Sequence, residues 1–157
     1  MIILGIDPGI AITGYAILSK KNEEISVINS GSIRTDKNKS QADRLVELYN
    51  DISEIINMYK PDVAVIEQLF YFKNLKTVIP VAQARGVIIM ALAKNNIPIV
   101  EYTPLQVKQT ITGFGRATKE EVKQMTQLAL NSPMPKLDDT VDAIAIALCY
   151  IRSLCSK

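Results

Sequence analysis

The chain opens with the stretch Met1-Ile-Ile-Leu-Gly-Ile-Asp7-Pro8-Gly9-Ile-Ala-Ile-Thr13-Gly14-Tyr15-Ala-Ile-Leu18, and the rest of the sequence is organised around it. Two apolar runs separated by Asp-Pro-Gly are typical of two strands joined by a turn. Residues 2–6 are almost continuously apolar, which predicts a strand covered on both faces. A buried carboxylate at Asp7 would be costly unless a cation compensates it. The stretch therefore predicts either a platform for a metal-binding carboxylate or an ordinary Asp-Pro-Gly turn.

Composition limits the chemistry that the chain can perform. The 157 residues suffice for one well-buried domain, and we expect a single domain over residues 1–157. The sequence has no histidine, which excludes a His-based triad, an imidazole zinc site and a histidine general base. We expect a cytoplasmic location, because two cysteines without a basic, apolar leader indicate a reducing compartment.

Charge is unevenly distributed along the chain. The formal net charge is only +2, but residues 73–123 hold eight basic and three acidic side chains. A positive middle section could face a polyanion such as nucleic acid. A solvated, lysine-rich surface would give the same pattern.

The order of the predicted elements indicates an α/β fold. The two opening strands and a third at residues 25–33 form an antiparallel meander. A helix from residue 40 leads to a fourth strand at 62–67, which the strand–helix–strand order makes parallel to the first. The remaining predicted elements are a helix at 77–95 with Gly86 as a packing or bending point, a strand at 97–101, and helices at 104–110, 118–130 and 138–154.

Acidic residues stand at three points of this arrangement. Asp7 and Glu67 end the two parallel strands, so both should emerge at the sheet edge where open α/β sheets bind ligands. On the last helix, both Asp138 and Asp139 are spaced to share a face with Asp142, and spacing does not choose between them. Structural roles explain each of these acids singly: a turn for Asp7, a strand end for Glu67, a helix N-cap for Asp138, and dipole complementation for Asp139 and Asp142.

Carboxylates without histidine suit a hard cation such as Mg²⁺, which prefers oxygen ligands. Two such ions roughly 4 Å apart can hold the attacking water and the leaving oxygen of a phosphodiester displacement. One shared site explains all of the acidic positions together, whereas the structural roles explain them only one at a time.

Five motifs in chain order resemble the RuvC family of Holliday-junction resolvases. They are Gly5-Ile6-Asp7-Pro8-Gly9 with Thr13-Gly14-Tyr15, Ile66-Glu67-Gln68, Gln83-Ala84-Arg85-Gly86, Gln106-Val107-Lys108-Gln109, and Asp139-Thr-Val-Asp142-Ala143. The resemblance runs from about residue 2 to residue 151. It implies an RNase H-like fold, with a five-stranded mixed sheet flanked by helices, and a homodimer. It also implies symmetric, Mg²⁺-dependent nicking of four-way DNA junctions in recombination and repair.

Position by position, the resemblance implies that four acids bind the metal, and it selects Asp139 over Asp138; the four are Asp7, Glu67, Asp139 and Asp142. It implies Mg²⁺, with two ions per site and Mn²⁺ as a substitute. Lys108 and Lys119 match lysines near the scissile phosphate and backbone, where phosphate contacts supply salt-dependent affinity. Lys108 is in addition a candidate catalytic residue.

Further DNA contacts are implied by the same resemblance. Phe70 matches an aromatic residue implicated in opening base pairs by stacking, although Phe70 could instead make a hydrophobic or dimer contact. Neighbouring Tyr71 and Phe72 leave that alternative open. The other candidate DNA contacts are Lys73, Arg85 and Arg116, and the two arginines could equally be ordinary surface charges. RuvA and RuvB, the branch-migration proteins, are partners implied by the family alone.

Three other functions are compatible with parts of this pattern. The strand–Asp–Gly–strand opening also resembles actin-like ATPases and sugar kinases, but those folds need two such domains and a longer chain. An RNase H-like nuclease could act on RNA or on another branched DNA. A junction-binding protein without catalysis would gain nothing from gathering negative charge.

Overall fold

The computed structural model describes residues 1–69, 75–130 and 138–155, with the side chains of residues 75–77 and 155 excepted. Within these ranges the strands are β1 (Ile2–Asp7), β2 (Ile12–Lys21), β3 (Glu24–Arg34), β4 (Val63–Glu67) and β5 (Ile99–Tyr102). The helices are α1 (Gln41–Tyr59), α2 (Leu75–Lys94), α3 (Pro104–Thr112), α4 (Lys119–Leu130) and α5 (Asp138–Cys155). None of the described helices is long and apolar enough to cross a membrane.

The strands form one mixed sheet in the order β3-β2-β1-β4-β5. β2 pairs antiparallel with both β1 and β3, whereas β1, β4 and β5 run parallel. The crossover through α1 joins the antiparallel meander to the parallel half, as a strand–helix–strand unit requires. The predicted α/β fold with a five-stranded mixed sheet is confirmed.

Alternation along β1 distributes its side chains between two cores. Leu4 and Ile6 pack with α1 and α2 on one face of the sheet. Ile3 packs on the other face in the cluster built around α5. Because successive side chains of a strand point to opposite faces, Asp7 lies on the α5 face, as Ile3 does.

Some predicted boundaries and roles differ from those observed. β5 begins at Ile99 rather than at residue 97, because Pro98 has no N–H to donate and contributes only its carbonyl, to Ala64 N at 2.9 Å. α2 begins at Leu75, two residues earlier than predicted. Beyond its own helical turn, no described atom lies within 4 Å of the point where a Cβ of Gly86 would stand, so none of the described residues from other elements packs on this glycine.

Two capping boxes fix the helices nearest the acidic residues. Thr103 caps α3, with reciprocal hydrogen bonds to Gln106 and with Pro104 in the first turn as predicted. Before α4, Glu121 N donates to Thr118 Oγ1 at 3.2 Å, and Thr118 N donates to Glu121 Oε2 at 2.6 Å. Each box satisfies backbone donors that would otherwise lack a partner. The second box holds Lys119 at the first position of α4.

Candidate active site

Asp7 and Glu67 end adjacent parallel strands. The β1–β4 register pairs Ile6 with Ile66, so the next residue of each strand is one of the two acids. Both acids lie on the α5 face, because Ile6 and Ile66 belong to the opposite core. The structure thus brings them to one edge of the sheet, as the sequence predicts.

The turn after Asp7 is fixed by hydrogen bonds within the opening motif. Buried Thr13 donates through Oγ1 to Gly9 O at 2.5 Å and accepts from Gly9 N at 3.3 Å. A Cβ at Gly9 would stand 2.2 Å from Ile12 O, so only glycine fits this turn. The backbone that follows Asp7 is therefore held rigidly.

The first turn of α5 carries the other acids to the same edge. The negative charges of Asp139 and Asp142 both raise the pKa of Asp7. Asp138 is exposed and acts on Lys119 instead. The rotation of α5 therefore favours Asp139 over Asp138 as the third acid of the cluster, a choice that spacing alone left open.

The environment at the ends of β1 and β4 favours the protonated forms of Asp7 and Glu67. Burial, followed by repulsion from Glu67 and then from the acids of α5, raises the pKa of Asp7 to about 8. Burial and repulsion from Asp142 raise the pKa of Glu67 to about 7. Lys119 opposes both shifts, because its positive charge favours the ionised carboxylates. A further cation among these oxygens would relieve both the burial cost and the repulsion.

Two lysines face the acids across a cleft. Lys119 Nζ donates to Asp142 Oδ2 at 2.9 Å, although the lysine side chain is 73% exposed. Half-buried Lys108 lines the same cleft, a cavity of about 380 Å³, together with Asp7 and Glu67. In the described residues, Lys108 has no carboxylate within ion-pair distance. Its ammonium therefore remains available for an anionic ligand.

The donor set fits a hard cation, although the acids do not stand as a finished metal cage. Among residues 1–69, 75–130 and 138–155, no three histidine, cysteine or acidic side chains are arranged to hold one ion together. Asp142 instead pairs with Lys119. All of the candidate ligands are carboxylate oxygens, which suit Mg²⁺. The raised pKa values of Asp7 and Glu67 show that their ionised forms are unfavourable, and a bound cation would relieve that burial cost and repulsion.

The other candidate DNA contacts have different surroundings. Arg85 forms an ion pair with Glu101 of β5, and its side chain is only 19% exposed. Arg116 is exposed in the loop between α3 and α4, and no ion pair involves it in the described part of the chain. Phe70 and Lys73 lie outside the described residues, as do Tyr71 and Phe72.

Sequence reasoning assigned no role to the apolar wall of the cleft. Pro104, Val107 and Val122 line the cleft, together with Ala145 and Ile146 of α5. Apolar walls withhold water and so raise the free energy of the ionised carboxylates. Val107 and Val122 follow the helical periodicity of core residues, and that signal does not distinguish a cleft wall from a core.

Comparison with known proteins identifies the family. A family model described as crossover junction endodeoxyribonuclease RuvC matches residues 3–150. The protein of that name from Caldicellulosiruptor saccharolyticus is 51% identical over 155 residues, which cover 98% of this chain and 93% of the relative. The structure of Thermus thermophilus RuvC matches with a TM-score of 0.90 and 26% identity, covering 99% of this chain and 96% of that one.

A second structure, T. thermophilus RuvC in complex with Holliday junction substrate, matches with a TM-score of 0.89 over 99% of this chain and 96% of that chain. At 23% identity, this likeness supports the fold alone. Together these findings confirm the predicted RNase H-like arrangement, and the chain belongs to the RuvC family of crossover junction endodeoxyribonucleases.

Proposed function

We propose that this protein resolves four-way DNA junctions by paired, Mg²⁺-dependent nicks during recombination and repair. The observation that carries the proposal is the gathering of acids from β1, β4 and α5 at one sheet edge, where burial and neighbouring negative charge raise the pKa of Asp7 and of Glu67. A protein that only bound DNA would be weakened by such negative charge. A metal-dependent nuclease needs it.

In the proposed site, Asp7, Glu67, Asp139 and Asp142 hold Mg²⁺, in two ions per site, and Mn²⁺ can substitute. When bound, the metal would lower the pKa of the attacking water and neutralise charge on the phosphate. Lys108 faces the same cleft and offsets negative charge that develops on the phosphate. Lys119 now pairs with Asp142, and it would be free to contact the DNA backbone if Asp142 held a metal.

Junction DNA is the substrate that we propose for this cleft. The related T. thermophilus RuvC has been determined in complex with Holliday junction substrate. Lys108 and Lys119 line the cleft, and Arg116 is exposed in the loop between α3 and α4. In the proposed complex all three supply phosphate contacts. Lys73 and Phe70 are further proposed contacts, with Phe70 stacking on an opened base. Arg85 would have to leave Glu101 to reach DNA, so we place it last among the contacts.

The proposed activity is tested on a synthetic four-way junction, with and without Mg²⁺, beside a linear duplex of the same sequence. We expect paired nicks on the junction alone, and only with the metal. Cleavage of the duplex at a similar rate would indicate a less selective nuclease. Binding without cleavage in Mg²⁺ or Mn²⁺ would contradict the proposal and favour a structural junction protein.

We further propose a homodimer in which the α2 helices of two copies meet. Ile79, Gly86 and Met90 share one face of α2 and are exposed, with Ile79 at 65% and Met90 at 49%. A glycine inside a helix costs about 1 kcal/mol relative to alanine, and no described neighbour requires Gly86. Close approach by a second helix explains it. A two-fold dimer would present two active sites to a two-fold junction.

Met90→Asp is expected to convert the dimer into a monomer at micromolar concentration. A carboxylate buried without a partner costs about 3 kcal/mol or more, which weakens association on the order of 10²-fold. Sedimentation velocity measures the change. Leu128→Asp on α4 is the matched control, because Leu128 is also exposed, at 73%, but lies on another helix. A Met90→Asp variant that stays dimeric would place the dimer contact elsewhere.

Because the proposed substrate is chromosomal DNA, we propose that the protein acts in the cytoplasm. The branch-migration proteins RuvA and RuvB are its proposed partners, on the family resemblance alone.

A further inference from the structure

Gly14 of β2 is in closer contact with α5 than any side chain would permit. It pairs with Asp7 in the β1–β2 register. An ideal Cβ at Gly14 would stand 2.0 Å from the carbonyl oxygen of Asp139, 2.5 Å from its carbonyl carbon and 3.2 Å from its Cβ. The obstacle is mainly helix backbone, which cannot rotate away as a flexible side chain could.

Space, rather than backbone conformation, explains this glycine. Within the described residues, the only glycine in the left-handed region is Gly113. Gly14 lies inside a strand, where glycine normally weakens the structure. Any larger residue would push the first turn of α5 away from the sheet by at least about 1 Å, a displacement that can cost an active site about 10²-fold in activity.

We propose that Gly14 is a positioning residue, which sets how far the Asp139 carboxylate reaches toward Asp7. The inference rests on the proposed function, since it takes Asp139 as a metal ligand. Asp7 and Gly14 are register partners, so one strand pair carries both an acid and the spacer that admits the second acid. The distance between Asp7 and Asp139 is therefore determined by the backbone contact between β2 and α5.

Gly5 provides a contrast on the same helix. Its Cβ would stand 2.2 Å from Ala143 O and 2.8 Å from Ala147 Cβ. Gly5 therefore governs the packing of the part of α5 that follows Asp142, and it opposes no acidic residue. If Gly14 acts through Asp139, alanine at the two glycines should have different effects on the metal site.

The test measures Mn²⁺ affinity of the full-length protein by titration with electron paramagnetic resonance, alongside circular dichroism to verify folding. We expect Gly14→Ala to weaken Mn²⁺ binding about 10- to 100-fold. In an Asp139→Asn background, the same alanine should have no further effect. Asp139→Glu should recover part of the affinity in the Gly14→Ala background, because the longer side chain restores the reach, yet should weaken binding when glycine is kept. Gly5→Ala should lower the unfolding temperature with a smaller loss of Mn²⁺ affinity.

An equal loss of affinity from Gly14→Ala in the presence and absence of the Asp139 carboxylate would overturn the inference, as would an equal loss from Gly5→Ala. If Gly14→Ala does not fold, Asp139→Glu in the parent protein tests the inference by itself. Unchanged Mn²⁺ affinity in that variant would mean that the reach of the side chain at position 139 does not limit binding, and would overturn the inference. Full affinity in Asp139→Asn would instead show that Asp139 is not a ligand, which is a failure of the proposed metal site itself.

Discussion

Asp7→Asn is expected to lower the rate of junction cleavage about 10³-fold or more while leaving junction binding in place. Asp7 is the acid at the centre of the cluster, since each of the other three raises its pKa. A bound metal supplies several kcal/mol of transition-state stabilisation, and each 1.4 kcal/mol or so is a factor of ten in rate. An amide keeps the shape of the side chain but loses the charge that holds the metal.

The same substitution is expected to raise the stability of the metal-free protein at pH 8. The unfolded chain releases the Asp7 proton near pH 4, whereas the folded chain holds it until about pH 8. Stability that depends on this group is therefore lost as the pH rises from about 4 to about 8. Asparagine does not titrate, so the variant avoids the loss. Its gain over the parent protein should be much smaller near pH 4.

Single-turnover cleavage and thermal unfolding, each with and without Mg²⁺, test both effects. Mg²⁺ should raise the unfolding temperature of the parent protein and not that of Asp7→Asn. The matched control is Asp138→Asn, which removes an exposed acid from the same region. It should change the cleavage rate by no more than a few-fold and should keep the rise in unfolding temperature with Mg²⁺. Full cleavage by Asp7→Asn would remove Asp7 from the metal site.

The strand acids could be placed from sequence because their positions depend on local pattern and chain order. An apolar run ending in an acid predicts a buried strand with a carboxylate at its end. The strand–helix–strand order then makes β1 and β4 parallel, which brings Asp7 and Glu67 to one edge. Both steps use only local sequence patterns and the order of the elements along the chain, and the observed register agrees with them.

The acids of α5 could not be separated in that way. Spacings of three and four residues both share a helix face, so Asp138 and Asp139 are equivalent in sequence. The rotation of α5 decides between them, and the first turn of α5 is set by its backbone contact with Gly14, far away in the chain. The family resemblance had already favoured Asp139, and the geometry supplies a physical reason for it.

The acidic partners of the basic side chains could not be predicted from the sequence either. Arg85 is predicted from its motif to contact DNA, yet it lies against Glu101, sixteen residues away on β5. Lys119 is predicted to contact phosphate, yet it lies against Asp142 in the protein alone. Local charge patterns do not reveal which side chains meet across elements. The sequence therefore did not predict that Arg85 and Lys119 would each pair with an acidic side chain in the absence of DNA.

The largest solution effect that we expect is on pH dependence: affinity for Mg²⁺ should rise about 10³-fold between pH 6 and pH 8. Metal binding requires ionised carboxylates, so it must expel any protons that the free site holds. Below pH 7 both Asp7 and Glu67 are largely protonated, and binding should release about two protons. Between pH 7 and pH 8, Mg²⁺ binding should release about one proton. Above pH 8 the affinity for Mg²⁺ should become constant.

Calorimetric titration with Mg²⁺ in buffers of different ionisation enthalpy counts the released protons directly. Glu67→Gln should release one proton fewer below pH 7, because the amide cannot hold it. Lys119→Met should move the plateau to higher pH, because the ammonium lowers the pKa of both acids. If affinity did not change from pH 6 to pH 8, the free site would already be fully ionised. Burial and mutual repulsion would then not govern these carboxylates, and the main electrostatic support for a metal site at this edge would be lost.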